Sequence, residues 1–231
     1  ERMGSMTDSL YFGAALTFVT FLGAWALQRR FRVALLNPIF LSTLLCIAIL
    51  SLLGVDYQTY NRSAQTITWF LTPATVCLAV PLYEKLNALK QNWRAILAGV
   101  LCGVVTALVS IWAMCRLFGL GRALFMTLLP KSITAAIAKP LSENYGGIVP
   151  LTLIAIMLTG VLGNSLGPEI LNLFRVRDPV ARGVALGTAA HAIGTTRALE
   201  LGPVEGAMAS LSLVVAGVTT VALLPLFAGL M

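Results

Sequence analysis

Ala95-Ile-Leu-Ala-Gly-Val-Leu-Cys-Gly-Val-Val-Thr-Ala-Leu-Val-Ser-Ile-Trp-Ala-Met-Cys115 runs without a charge between Arg94 and Arg116. A helix rises about 1.5 Å per residue, so about 20 residues cross the roughly 30 Å hydrocarbon core of a bilayer. Five further charge-free gaps of that length flank this one: 9–28, 33–55, 63–83, 144–168 and 206–231. Backbone polar groups in lipid must be satisfied within the segment, and the alternating ten-residue strands of a barrel are missing from the sequence. Six spanning helices are therefore predicted. Asn37-Pro38 and Gly202-Pro203 read as N-cap plus first-turn proline for the second and the last of them. Pro73 and Pro81 are expected to kink or end the third.

The composition agrees. Of the 231 residues, 58% are hydrophobic and only 11% charged, and the mean hydropathy is +0.88. A soluble domain carries about 25% charged residues, so a water-soluble enzyme and a disordered chain are both excluded. The net charge of +7 needs no nucleic acid, because membrane proteins gather Lys and Arg in cytoplasmic loops. Cys46, Cys77, Cys102 and Cys115 lie in or at the ends of apolar stretches, spaced as neither a zinc site nor a disulfide framework. No metal or cofactor is expected. Glu1 to Ser5 are expected to be a cloning scar before a start near Met6, leaving 6–231 as one transmembrane domain. No cleavable signal peptide is expected, since Arg29, Arg30 and Arg32 follow the first apolar segment without a small-residue cleavage site.

Two stretches, 116–143 and 169–205, are too polar for ordinary spans and too apolar for ordinary loops. Gly and Pro interrupt both, the mark of discontinuous or re-entrant helices in carriers. Breaks are expected near Pro130–Thr134 and within Gly187–Gly194. Thr134-Ala-Ala-Ile-Ala138 and Thr188-Ala-Ala-His-Ala192 match at four of five positions, with one full crossing, 144–168, between them. The two copies then enter from opposite faces as an inverted repeat, with Thr134 near Thr188. The fold class expected is thus all-α: a polytopic membrane helix bundle of six full spans plus two broken or re-entrant segments. Loops 29–32, 84–94 and the one after 168 carry the arginines and lysines, which places them in the cytoplasm and both termini outside.

Ionisable groups retained in a membrane point to function. The first broken stretch holds Lys131, Ser132, Thr134 and Glu143; the second holds Thr188, His191, Thr195, Arg197 and Glu200, with Glu205 just beyond. Thr134 and Thr188 can cap short helices whose N–H groups suit a carboxylate. Lys131 or Arg197 adds positive charge, and Arg197 a planar fork. His191, the sole histidine, titrates near neutral pH and can move a proton with the anion. Arg197 is expected to be buried in the bundle and paired with Glu143, Glu200 or Glu205, from which an incoming carboxylate would displace it. Plainer readings stand beside these: helix caps for the threonines, packing for His191, mutual charge compensation for Arg197 and Glu200, and snorkelling for Lys131 and Lys139. No nucleophile motif is present, and a membrane hydrolase or other enzyme is not expected.

Pro130-Lys-Ser-Ile-Thr-Ala-Ala-Ile-Ala138, Gly146-Gly147, Ala181-Arg-Gly-Val-Ala-Leu-Gly-Thr-Ala-Ala-His-Ala-Ile-Gly-Thr-Thr-Arg-Ala-Leu-Glu200 and Glu205-Gly206-Ala207 resemble the LrgB/CidB family. Leu36-Asn37-Pro38 and the stretch Pro73–Tyr83 extend the resemblance to nearly the whole chain. Ala136 stands where that pattern has Pro, and Ala190 where Ser commonly precedes His191. The resemblance implies a multi-pass protein of the bacterial inner membrane, related to the plant plastid glycolate/glycerate translocator. It implies a carrier of small monocarboxylates such as glycolate, lactate or pyruvate, with proton coupling as one option. The alternative it carries is a holin- or antiholin-like modulator of murein hydrolase export and cell lysis. The partners it implies are a smaller LrgA/CidA-type membrane protein and further copies of the chain. A convergent polar cluster serves a carrier and is not needed by a pore, so the carrier is the preferred expectation.

Overall fold

The computed structural model describes residues 9, 11–31, 38–70, 73, 76–77, 79–84 and 86–231, and among these there are helices and no strand. The chain divides into two compact units, 1–77 and 78–231.

The first unit contains α1 (Phe12–Phe31), α2 (Pro38–Leu53) and α3 (Tyr57–Trp69). Arg29 and Arg30 close α1, where cations meet the negative end of the helix dipole. The Arg29 guanidinium lies over the Trp25 ring, 4.4 Å from its centroid. α2 begins at Pro38, as expected; Asn37 is outside the described residues. Gly54 takes a φ of 63° to turn the chain into α3, whose start is capped by Asp56 Oδ2 accepting from the Gln58 N–H at 3.0 Å. Residues 63–69, the start of the expected third span, finish a polar helix that begins at Tyr57 and ends before Pro73; the expected span, 63–83, lies partly outside the described residues. Residues 71–72, 74–75 and 78 are outside the described residues. α3 packs on α1 through side chains that only a tertiary contact could reveal. Gly13 N–H donates to Ser63 Oγ at 2.9 Å, and the Thr17 and Tyr60 hydroxyls meet at 2.8 Å.

The second unit contains α4 (Ala79–Glu84), α5 (Leu86–Leu117), α6 (Arg122–Leu128), α7 (Ala135–Asn144), α8 (Val149–Leu173), α9 (Pro179–Leu201) and α10 (Pro203–Ala228). Among the described residues three helices are long and apolar enough to cross a membrane: 90–117 of α5, α8 and α10. Six full spans are expected from the sequence; these three are the ones among the described residues that have the length and apolarity of a span. α1 has 20 residues but spends its last turn on Gln28, Arg29 and Arg30, and α2 has only 16.

α5 buries Ile96, Val100, Val104, Leu108, Ile111 and Cys115, one face at helical spacing. This stripe packs with Phe125, Met126 and Leu129 and with Ala207, Met208 and Leu224 of α10. Leu97, Leu101, Val105 and Val109 on the other side of α5 are exposed, the pattern of a helix wetted by lipid. α5 ends at Gly119, whose φ of 63° lets the Leu120 N–H reach back to the Cys115 carbonyl at 2.8 Å. Gly202 and Pro203 open α10 as expected.

Both broken stretches fold back. α9 loses helical geometry at Ala190 and His191. A Cβ on Gly194 would fall 2.4 Å from the Leu186 carbonyl oxygen, although eight residues of unbroken helix would separate them by about 12 Å. In the first arm Gly183 lies on the Glu205 backbone and Gly187 on that of Ala209, whereas in the second arm Leu199 returns to Gly206. The first stretch breaks over 129–134, between α6 and α7. Its two arms are joined through α8. Thr127 Oγ1 accepts from the Ile148 N–H at 2.8 Å, Thr152 Oγ1 donates to the Thr127 carbonyl at 3.1 Å, and the Ser142 and Thr152 hydroxyls meet at 2.6 Å. Both breaks fall where the Gly and Pro interruptions predict them.

Candidate functional site

α5 and the first arm of α9 run side by side in the same direction. A Cβ on Gly99 would meet Val184 Cγ1 at 3.1 Å, and one on Gly103 would meet Thr188 Cγ2 at 2.8 Å. Glycine at these two positions permits the close approach. Alongside the contact lies a cavity of about 590 Å³. Asn92, in the second turn of α5, and Asp178, the N-cap of α9, line one end; Thr106, Ala107, Thr188 and Ala189 line the other. The connection between α6 and α7 adds Lys131 and Ser132. Lys131 Nζ donates to Ser132 Oγ at 3.2 Å. The two folded-back stretches thus contribute to one cavity that holds a cation, Lys131, and, exposed at its mouth, a carboxylate, Asp178.

Among the described residues the helical hydroxyls of Thr188 and Ser212 are buried without a partner, and of the two only Thr188 lines the cavity; other hydroxyls bond the preceding turn. Thr127 bonds the Ala123 carbonyl at 2.7 Å, Thr195 the His191 carbonyl at 2.9 Å, and Ser210 the Gly206 carbonyl at 2.9 Å. Thr188 is 6% exposed and its hydroxyl has no partner. A buried hydroxyl left unpaired costs about 1–3 kcal/mol, so a group that pairs with it recovers that energy.

The remaining expected site residues lie elsewhere. Thr134 occupies the N-cap position of α7 but makes no side-chain cap bond, and it is not part of the cavity lining. Thr188 caps nothing, since it sits inside the first arm, two residues before the break; the cap expected there is corrected. His191 is 3% exposed. It donates Nε2–H to the Ile156 carbonyl at 3.0 Å, which ties the break to α8 and accords with its plainer, packing role. Thr195 is buried on the following turn.

Arg197 pairs with Glu200 at 2.6 Å, as one expected partner. The expected burial is corrected: the side chains are 35% and 64% exposed. The second arm has by then returned to its end of the unit, so a long side chain reaches a polar boundary. Glu143 is exposed at the end of α7, and Glu205 lies half-buried in the first turn of α10. None of these four lines the cavity. The displacement of Glu200 from Arg197 by substrate is therefore not a step this geometry favours.

Sequence reasoning did not single out Asp178, Asn92, Gly99 and Gly103. A local signal existed for Asp178, because Asp-Pro before a small-residue helix is an N-cap and first-turn proline; its Oδ1 accepts from the Ala181 N–H at 2.8 Å. The four-residue spacing of Gly99 and Gly103 is a close-packing pattern, but which helix it meets is a tertiary fact.

Compared with known proteins, a family model described as the LrgB-like family matches residues 17–230, nearly the whole chain. No solved structure matches it.

Proposed function

The chain belongs to the LrgB-like family, and from that membership together with the cavity we propose that it is a secondary carrier of small monocarboxylates. The observation that carries the reading is the joint lining of one cavity by Lys131, Ser132 and the unpaired Thr188. An ammonium beside two hydroxyls in a largely apolar wall offers one charge partner and two hydrogen-bond groups, enough for one carboxylate. In low dielectric such a charge-assisted bond is roughly twice as strong as a neutral one. The two folded-back stretches make an opposed pair entering from opposite faces, and their tips hold the anion while one arm moves against the rest. His191 fixes the break of α9 and does not touch the anion. The protein works in the bacterial inner membrane, beside a smaller LrgA/CidA-type protein and as an oligomer, with no chemical step.

Uptake of labelled glycolate, lactate and pyruvate into proteoliposomes, with and without a pH gradient, tests this. Saturable uptake is expected, with Lys131→Met raising KM about tenfold or more and Thr188→Val raising it less. Flux that does not saturate and does not discriminate among solutes would replace the carrier by the holin-like pore.

A further inference from the structure

The cavity lining contains two charged side chains, Lys131 and Asp178. Asp178 caps α9 through one oxygen, a task that Asn or Ser performs as well without charge. Its charge also suits the positive end of the α9 dipole, and the same carboxylate lines the cavity. Among the described residues it is in no ion pair, although Arg175, Arg177 and Arg182 are close in sequence; the ion pair found there is Arg197–Glu200. A negative charge at the mouth of an anion site acts against the ligand, so its presence calls for a purpose.

We propose that Asp178 is a specificity-determining residue that admits monoanions and turns away dicarboxylates. Ten residues of α9 separate it from Thr188, about 15 Å along the helix. An anion seated at Thr188 is thus more than a Debye length from Asp178 in salt, with Lys131 in the same cavity to answer its charge. A dicarboxylate of three to five carbons places its second carboxylate several ångströms nearer the mouth. Asp178 is the one charged lining residue besides Lys131; Arg175, Arg177 and Arg182 are close in sequence but outside the lining and offset part of its field. The wall between is made of Ala95, Gly99, Ala181, Val184 and Ala185, which offer a second carboxylate no compensating group. The penalty falls on the second charge and spares the first.

The inference rests on the carrier reading above, and the experiment separates the two. Lactate uptake is measured in proteoliposomes holding the wild-type chain, Asp178→Asn or Asp178→Ser, with succinate as competitor and as labelled substrate. Both variants keep a capping side chain. Both are expected to improve succinate relative to lactate by about fivefold or more in competition, with Asn and Ser alike. Raising the ionic strength should narrow the lactate preference of the wild-type chain and leave that of the variants little changed. Saturable lactate uptake with an unchanged succinate-to-lactate ratio in both variants would overturn the role of Asp178 and leave the carrier standing. Absence of saturable uptake in all three proteins would overturn both.

Discussion

His191 has a φ of 41° and a ψ of −137°, a backbone region that a residue with a Cβ enters at a cost of order 1–3 kcal/mol. The site is held there by the hydrogen bond to Ile156 and by Gly160 and Gly163 on α8, where added Cβ atoms would strike the His191 ring and Ala190 Cβ. This gives an ordering of variants that an unbroken helix reverses. In a helix interior Gly is less stable than Ala by about 1 kcal/mol. Here His191→Ala should lose the Ile156 bond and keep the strain, whereas His191→Gly loses the bond and relieves strain. The thermal midpoint of His191→Gly in detergent should therefore exceed that of His191→Ala, by an amount equivalent to about 1 kcal/mol. The opposite order would place the break elsewhere. The sequence contains the reason for a break, a Gly-rich run around one histidine, and so predicts its location. It does not contain the sign of φ, which only the packing of α8 on α9 sets.

At the level of elements, glycines fall into two kinds that composition alone cannot separate. A Cβ on Gly187 would lie 2.3 Å from the Ala209 carbonyl oxygen and 2.7 Å from its Cα, while one on Gly23 of α1 would meet nothing within 4 Å. Backbone cannot rotate aside as a side-chain tip can. Gly187→Ala should cost about 1–3 kcal/mol or more, by forcing α9 from α10. Gly23→Ala should be neutral or stabilising by up to about 1 kcal/mol. Equal midpoints for the two variants in a denaturation series would contradict the packing described. The first folded-back stretch depends instead on hydroxyls. Thr152→Val leaves the Thr127 carbonyl and the Ser142 hydroxyl short of a partner and should cost about 1–3 kcal/mol; Thr152→Ser should recover most of it. Lys131, Ser132 and Thr188, which line the cavity, stand out in the sequence as candidates because polar groups in apolar runs are conspicuous. Thr127 and Thr152 were not, since a lone threonine in a long helix reads as a filler until its partner is known.

Across the second unit, the path of the chain fixes which ends lie together. The Gly99–Val184 and Gly103–Thr188 contacts set the start of α5 beside the start of α9. At the opposite end Arg116 Nη2 donates to the Leu230 carbonyl at 3.4 Å and Arg122 Nη1 to that of Met231, so α5 and α10 finish together. α8 runs back between them, and each folded-back stretch returns to the end from which it set out. Lys90, Arg94, Arg175 and Arg177 then gather at the first end, against Arg116 and Arg122 at the second. The stretch 116–143, external by span parity yet holding Arg116, Arg122, Lys131 and Lys139, runs against the positive-inside rule; the conflict eases because the stretch turns inward and takes Lys131 out of the count. The first end, with the mouth at Asn92 and Asp178, should face the cytoplasm. Sided labelling checks this in a chain whose four cysteines are replaced by serine. Arg177→Cys and Ala181→Cys should react with a membrane-impermeant maleimide only in inside-out vesicles, and Arg122→Cys only in right-side-out ones. Lactate should slow labelling at position 181, which lines the cavity, and leave position 177, outside it, unaffected. Reaction of positions 181 and 122 from the same side would mean that the unit crosses the membrane an even number of times between them, and the opposed arrangement of the two folded-back stretches would fall with it.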